Sequence, residues 1–327
     1  MTHASRCCQY QDPDGFVCES EANASGFCYW HDKSSDKTGE KVKDALEAHV
    51  RKGGLLRGIC LKNANLAGVY LVNRGQREGH DMSYADLYHA NLTGAHLFNI
   101  NLSKASLMKA DLRGANLNCA NLEDTNLLGA KWSKAKIENI QFGKRLIQDT
   151  KARACLKTRN ISEAVDYFEQ AEEIYRDLRK HAEREGIFTL AGDFIHRELT
   201  MRRLQLPPRS PKRIASKMVD LFCGYGEDPW RIIILSIILI IICAFLYALT
   251  GLNYQGEMYA FSLDQTLSQN LHIFASCLYY SVVTFTTLGY GDFAPIGLSR
   301  ALAAFEAFTG SFTIALFVVV FVKKMTR

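Results

Sequence analysis

From Met82 onward every fifth residue is large and apolar, through Leu87, Leu92 and Leu97 to Trp132, Ile137 and Phe142, thirteen positions in unbroken register. The residue two places earlier is usually Ala, and Asn or Asp commonly stands between, as in Ala90-Asn91-Leu92 and Ala120-Asn121-Leu122. A helix buries positions three or four apart and a flat strand alternates, so a period of five fits neither. Each pentad must therefore turn a corner, with Leu and Ala inward and the polar residues outward. Leu56, Leu61, Leu66 and Leu71 carry the same period earlier. Residues 72–81 break it by one residue and read as a loop leaving one corner.

After Phe142 the period becomes helical. Ala164, Val165, Phe168, Ala171, Tyr175, Leu178 and Ala182 trace one apolar stripe. A second helix is expected from about Ile187, carrying Phe188, Ala191, Phe194, Ile195 and Leu199. The pair is similar to a single tetratricopeptide hairpin. Pro207, Pro208 and Pro211 end it. Ile214, Met218, Leu221 and Phe222 then share one helical face, with Arg213 and Lys217 on the other. Such a short basic amphipathic helix suits a membrane interface, as a plain anchor or as a coupling element.

Two long apolar runs follow. Residues 230–250 contain one charge, Arg231, and residues 301–322 contain one acid, Glu306. About 20 helical residues cross the hydrocarbon core of a bilayer. Lys212, Arg213, Lys217 and Arg231 lie before or at the start of the first run, Lys323, Lys324 and Arg327 follow the second, and 251–269 has no Lys or Arg. That asymmetry predicts a multi-pass protein of the inner (plasma) membrane with both termini cytoplasmic. Residues 1–50 show no apolar stretch of the signal-peptide kind. The cysteines of the front half are then in a reducing compartment, as metal ligands or core residues rather than disulfides.

Between the runs lies Thr286-Thr287-Leu288-Gly289-Tyr290-Gly291-Asp292. Glycines at alternate positions allow backbone carbonyls to turn the same way. This run resembles the potassium-channel signature, with Leu288 in place of Val, and is nearest to bacterial channels with two spans per subunit. The resemblance covers roughly residues 213–327. It implies that Thr287, Leu288, Gly289, Tyr290 and Gly291 line a K⁺ path. Four identical subunits are needed to close the ring, so each chain would have three partners. Thr286, Asp292, Tyr279 and Tyr280 are implied to support the filter. The pore-helix position where relatives often carry an acid is Val283 here. Glu306 has three readings: behind the filter in that acid's place, lining the inner cavity, or a protonated carboxyl hydrogen-bonded at a helix interface. Gly310 is either a gating hinge or a small residue for close helix packing. Neither span carries a basic run of the voltage-sensing kind.

The front end offers separate chemistry. Cys8, Cys18, Cys28 and His31 follow a C-x9-C-x9-C-x2-H pattern, with Cys7 an alternative to Cys8. Three thiolates and one imidazole suit tetrahedral Zn²⁺. Asp12-Pro13-Asp14-Gly15 is a turn signal that would let a hairpin bring the first two ligands together. The segment resembles small C3H zinc modules of the plant WRC type. With one Arg and no Lys in residues 1–31, it is expected to be a structural cap or contact surface, not a nucleic-acid binder.

The pentads resemble the pentapeptide-repeat family, which implies a right-handed quadrilateral β-helix with four pentads per coil. Some relatives mimic DNA through acidic surfaces. Residues 59–142 carry nine basic and seven acidic side chains, which argues against that role here. A scaffold, or a docking surface for an unidentified protein partner, fits better.

The expected organisation is a multidomain membrane protein. It comprises a zinc module (1–35), a helical linker (36–55), the β-helix (56–142), an α-helical hairpin connector (143–206), an interfacial helix (207–228) and an all-α, two-span tetrameric pore domain (229–327). Within the last, spans are expected at 229–251 and 299–323, a pore helix at 271–286 and the filter at 287–291. The net charge of +5 is modest and partly juxtamembrane. No nucleophile–base set, phosphate loop or paired catalytic carboxylates point to an enzyme. The sequence favours a homotetrameric potassium channel; a membrane-anchored scaffold with a non-conducting pore is the alternative.

Overall fold

A computed structural model describes residues 7–262 and 265–326, so Arg327 lies outside the described residues. The chain divides into two compact units, Met1–Ser210 and Pro211–Arg327.

In the first unit the pentads form a coil of parallel bridges. Residues twenty apart pair successively, as in Asp81–Asn101, Asn101–Asn121 and Asn121–Gln141. Each corner has the same local cause. The N–H of the small residue bonds the carbonyl of the Leu three places back, as in Ala90 N to Leu87 O at 3.1 Å. The residue before it is left-handed at every fifth position, for example Tyr84, His89, Gly94 and Asn99. The Asn or Asp side chain then accepts from the N–H two residues on, as Asn91 Oδ1 does from Thr93 and Asn116 Oδ1 from Asn118, both at 3.1 Å. Asn and Asp are suited to such local turns because their short side chains mimic a backbone carbonyl. The inward residues from Met82 to Phe142 are buried. In the first coil the paired residues are twenty-six apart, as in Asn65–Asn91, so the 72–81 loop adds six residues to that turn. Gly79 allows the loop to lie flat, because a Cβ there would sit 1.7 Å from the Asn99 carbonyl oxygen.

Both ends of the coil are covered. Helix α1 (Val42–Arg51) buries Val42 and Leu46 in the same core as Leu56 and Ile59. At the other end stand α2 (Ile147–Lys157), α3 (Ile161–Arg184) and α4 (Phe188–Gln205). Phe142 meets the Phe194 ring edge-on at 5.1 Å, and His181 Nε2 lies 2.8 Å from the Ala135 carbonyl. The expected hairpin is thus preceded by a third helix, α2, whose buried apolar positions are too sparse to make a stripe. Asn160 caps α3, and Gly186 at φ 74° turns the chain into α4. The α3–α4 contact is partly ionic: buried Glu172 and Glu198 face Arg176, Arg179, Arg202 and Gln205.

In the second unit, α5 (Pro211–Cys223) leaves Ile214, Met218, Val219 and Leu221 exposed. Helix α6 (Pro229–Thr250) begins at Asp228, whose side chain accepts from Trp230 N, with Pro229 at the first helical position. Helix α8 (Leu298–Met325) is the second long apolar helix, and both are long enough to cross a membrane. Between them lies α7 (Leu267–Phe285), which starts earlier than the apolar pattern suggests because Thr266 and Gln269 form a reciprocal cap. Three short strands, β1 (Leu252–Tyr254), β2 (Glu257–Tyr259) and β3 (Phe293–Pro295), form an antiparallel sheet in the order β2-β1-β3. At three residues each they are too short to leave an alternating pattern in the sequence.

Candidate ion pathway and metal centre

The chain leaves α7 at Thr286 and enters the glycine-containing run. Thr287, Gly289 and Gly291 have positive φ (60°, 58° and 79°), whereas Leu288 and Tyr290 do not. Alternation of left- and right-handed residues points successive carbonyls in one direction, and glycine carries it at least cost. Thr287 is the costly member, a β-branched residue in the left-handed region. Its hydroxyl bonds the Thr286 carbonyl at 2.7 Å. Leu288 and Tyr290 are largely exposed in the single chain.

The segment after the run is held by rings. Phe293 lies 4.7 Å from Tyr254, 5.7 Å from Tyr259, 6.1 Å from Tyr279 and 6.3 Å from Tyr280. The Tyr279 hydroxyl faces the Asp292 carboxylate. Tyr280 instead turns toward Tyr247 of α6, edge to face at 4.9 Å.

Glu306 is fully buried on α8. Its Oε2 accepts from Tyr247 Oη at 2.7 Å, and its Oε1 contacts Ser281 Oγ of α7. Ser281 also donates to the Ile240 carbonyl at 2.9 Å. Val283, the place of the missing acid, is buried and makes no such link. One turn along both helices, Gly310 meets the end of α7: a Cβ there would lie 2.0 Å from the Phe285 carbonyl oxygen. The lone acid in an apolar run was visible in the sequence. Its partners Tyr247 and Ser281 were not, because only the fold shows which turns face each other.

The front-end ligands converge. Asp12 Oδ1 accepts from Asp14 N and Phe16 N, at 2.9 and 3.0 Å, and closes the expected hairpin. This brings Cys8, Cys18, Cys28 and His31 together with all ligand atoms within 4.8 Å of one another, each residue buried. Cys7, the alternative, is exposed and outside the cluster. His31 Nδ1 faces Cys28 Sγ at 3.2 Å and Cys8 Sγ at 3.6 Å, while Nε2 points to the Arg57 carbonyl at 2.9 Å. A carbonyl fixes Nε2 as the protonated nitrogen and frees Nδ1 for a metal. The Tyr10 ring stacks on His31 at 4.0 Å, and burial pushes its phenol up to about 12. Three thiols and an imidazole at this spacing can hold a metal ion.

Arg57 fastens this module to the coil. Its Nε bonds buried Asp12 at 2.5 Å and its Nη2 reaches Asp14 at 3.2 Å, while Lys104 bonds Asp14 at 2.9 Å. Burial alone would raise the Asp12 carboxyl, but Arg57 and the Phe16 and Asp14 amides hold it below its ordinary value. The contribution of Asp12 is therefore full above about pH 3.9, where an unfolded Asp ionises, and is lost as pH falls through the lower folded value. Arg57→Ala removes the main depressing partner. Acid titration followed by hydrogen exchange over residues 7–34 should show the module opening at higher pH than in wild type. An unchanged midpoint would remove Arg57 as the fastener.

Comparison with known proteins agrees with both halves. Residues 252–327 match the family described as ion channel, and residues 105–140 match pentapeptide repeats, in eight copies. The chain thus carries a segment similar to ion-channel domains and, before it, a segment similar to pentapeptide repeats. It is 33% identical over 70 residues to two-pore potassium channel 4 of Arabidopsis thaliana, a match covering 21% of this chain and 22% of that one. A pentapeptide repeat protein from Nostoc PCC 7120 is 38% identical, covering 28% of this chain and 74% of its own, with a TM-score of 0.25. A second, from Cyanothece 51142, is 31% identical, covering 26% and 57%, with a TM-score of 0.19.

Proposed function

We propose that this ion-channel chain is one subunit of a potassium-selective homotetramer. The carrying observation is the alternation of φ at Thr287, Gly289 and Gly291 within Thr-Leu-Gly-Tyr-Gly, between two membrane-length helices. Four copies would stack rings of carbonyls that replace the hydration shell of K⁺. The exposed Leu288 and Tyr290 suit contacts made on assembly. Tyr279 and Asp292 brace the outer end of the run, and Glu306 braces the pore helix from behind. The membrane-facing division of 207–228 and 229–327, with both termini in the cytoplasm of the inner-membrane side, follows the distribution of basic residues.

Residues 56–142 act as a right-handed, four-sided coil that serves as scaffold or docking element. The helices of 143–206 close one end; the 36–55 linker and the 1–35 module close the other. Zn²⁺ is the ion that suits Cys8, Cys18, Cys28 and His31, in a structural role with all four positions filled by protein.

Gly310 serves first as a contact point, so a bend at this position would reach the end of the pore helix directly. Gly310→Ala should strain that contact by about 1–3 kcal/mol, the usual range for overpacking. Thermal unfolding in detergent and K⁺ flux should both fall. Wild-type values of both would leave the residue without this role.

Full-length protein in K⁺-loaded liposomes tests the function. Flux blocked by Ba²⁺ supports the channel. Its absence across conditions supports a membrane-anchored pentapeptide scaffold.

A further inference from the structure

The hydrogen count at Glu306 is informative. Ser281 Oγ lies 2.9 Å from the Ile240 carbonyl oxygen and also contacts Glu306 Oε1. A serine hydroxyl has one hydrogen to give, and a carbonyl oxygen can only accept. The bond to Ile240 uses the Ser281 hydrogen. With that hydrogen engaged, a hydrogen on Glu306 accounts for its contact with Ser281. The other carboxyl oxygen accepts from Tyr247 Oη at 2.7 Å. The Cys243 thiol also faces the carboxyl, so the groups that interact with Glu306 are all uncharged. No cation among the described residues pairs with it. An ionised carboxylate at a fully buried position without a counter-charge is a costly arrangement, whereas a carboxylic acid that both donates and accepts is satisfied there.

We infer that Glu306 is a neutral donor–acceptor staple joining α6, α7 and α8, and not a fixed charge that concentrates cations. It is a positioning residue: it holds Ser281, one turn before the end of the pore helix, and touches no ion. Glutamine offers the same pattern, its carbonyl accepting from Tyr247 and its amide donating to Ser281. The effect on conduction rests on the proposed pore; the protonation state does not.

Full-length protein reconstituted in liposomes at neutral pH gives two readouts. Infrared spectra of wild type should contain a protonated-carboxyl carbonyl band that Glu306→Gln lacks. Ser281→Ala should shift that band to higher frequency as its hydrogen bond is lost. Glu306→Gln should keep K⁺ flux within about twofold, while Glu306→Ala should lose about tenfold or more, a factor equivalent to about 1.4 kcal/mol. A missing wild-type band, a band unmoved in Ser281→Ala, or a Glu306→Gln flux as low as that of Glu306→Ala would overturn the inference. Absence of flux in wild type would remove the pore proposal, and the infrared result would still decide this one.

Discussion

Gly289→Ala should reduce K⁺ flux to background while leaving the protein folded. Gly289 sits at φ 58°, and a Cβ there meets no atom within 4 Å in the single chain. The penalty is thus conformational and not a local clash. An L-residue in the left-handed region costs about 1–2 kcal/mol, and a tetramer would incur it four times around one ring. The cheapest escape is rotation of the peptide, which turns its carbonyl out of the path and leaves the ion without that layer of ligands. The rest of the pore domain does not depend on this glycine. The Phe293 ring cluster, the α6–α8 contacts and the bond between Tyr247 and Glu306 lie elsewhere. Proteoliposome flux together with size-exclusion chromatography checks the expectation. Wild-type flux in the variant would mean that the Gly289 carbonyl does not line the path.

Removal of the metal is expected to have the largest effect on stability, confined to one module. Among the described residues, the apolar core around the cysteines consists of Tyr10, Phe16, Phe27 and Trp30. So small a core rarely orders a segment alone. Structural zinc contributes about 10–16 kcal/mol of apparent folding free energy in small peptides at neutral pH. Cys28→Ser removes a candidate ligand whose Sγ lies 3.2 Å from His31 Nδ1. Metal analysis should find one ion per chain in wild type and none in Cys28→Ser. Hydrogen exchange should rise over residues 7–34 and stay unchanged over 82–142, whose core is built from its own Leu and Ala ladders. Cys7→Ser is the control and should retain the metal, because Cys7 is exposed and outside the cluster. A metal-free wild type, or full protection in Cys28→Ser, would contradict the assignment.

The periodic parts of the molecule were legible because one physical rule repeats. A Leu every five residues needs a corner every five, and the ladder from Met82 to Phe142 is buried throughout. The two membrane-length helices were equally plain from their unbroken apolar runs. The clustering of Cys8, Cys18, Cys28 and His31 at the front end was visible from residue type and spacing. What stayed hidden depends on contacts between distant turns. Arg57 gives no sign in the sequence that it will hold Asp12, 45 residues away. Ser281 and Tyr247 look like ordinary small and aromatic members of apolar helices until α8 brings Glu306 between them. Helix α2 and the three short strands carry too few buried positions to imprint a period. The left-handed residue in each pentad was also unmarked, since Tyr84, Asn99, Lys104 and Lys109 all occupy it. There the bridges on either side hold a conformation that the side chain does not favour.

The central claim is that this chain forms a path selective for K⁺ through Thr287–Gly291 carbonyls. The most direct measurement is the reversal potential of full-length protein in a planar bilayer with K⁺ on one side and Na⁺ on the other. The account predicts a reversal close to the K⁺ equilibrium value, with current blocked by Ba²⁺. A reversal near zero would contradict it.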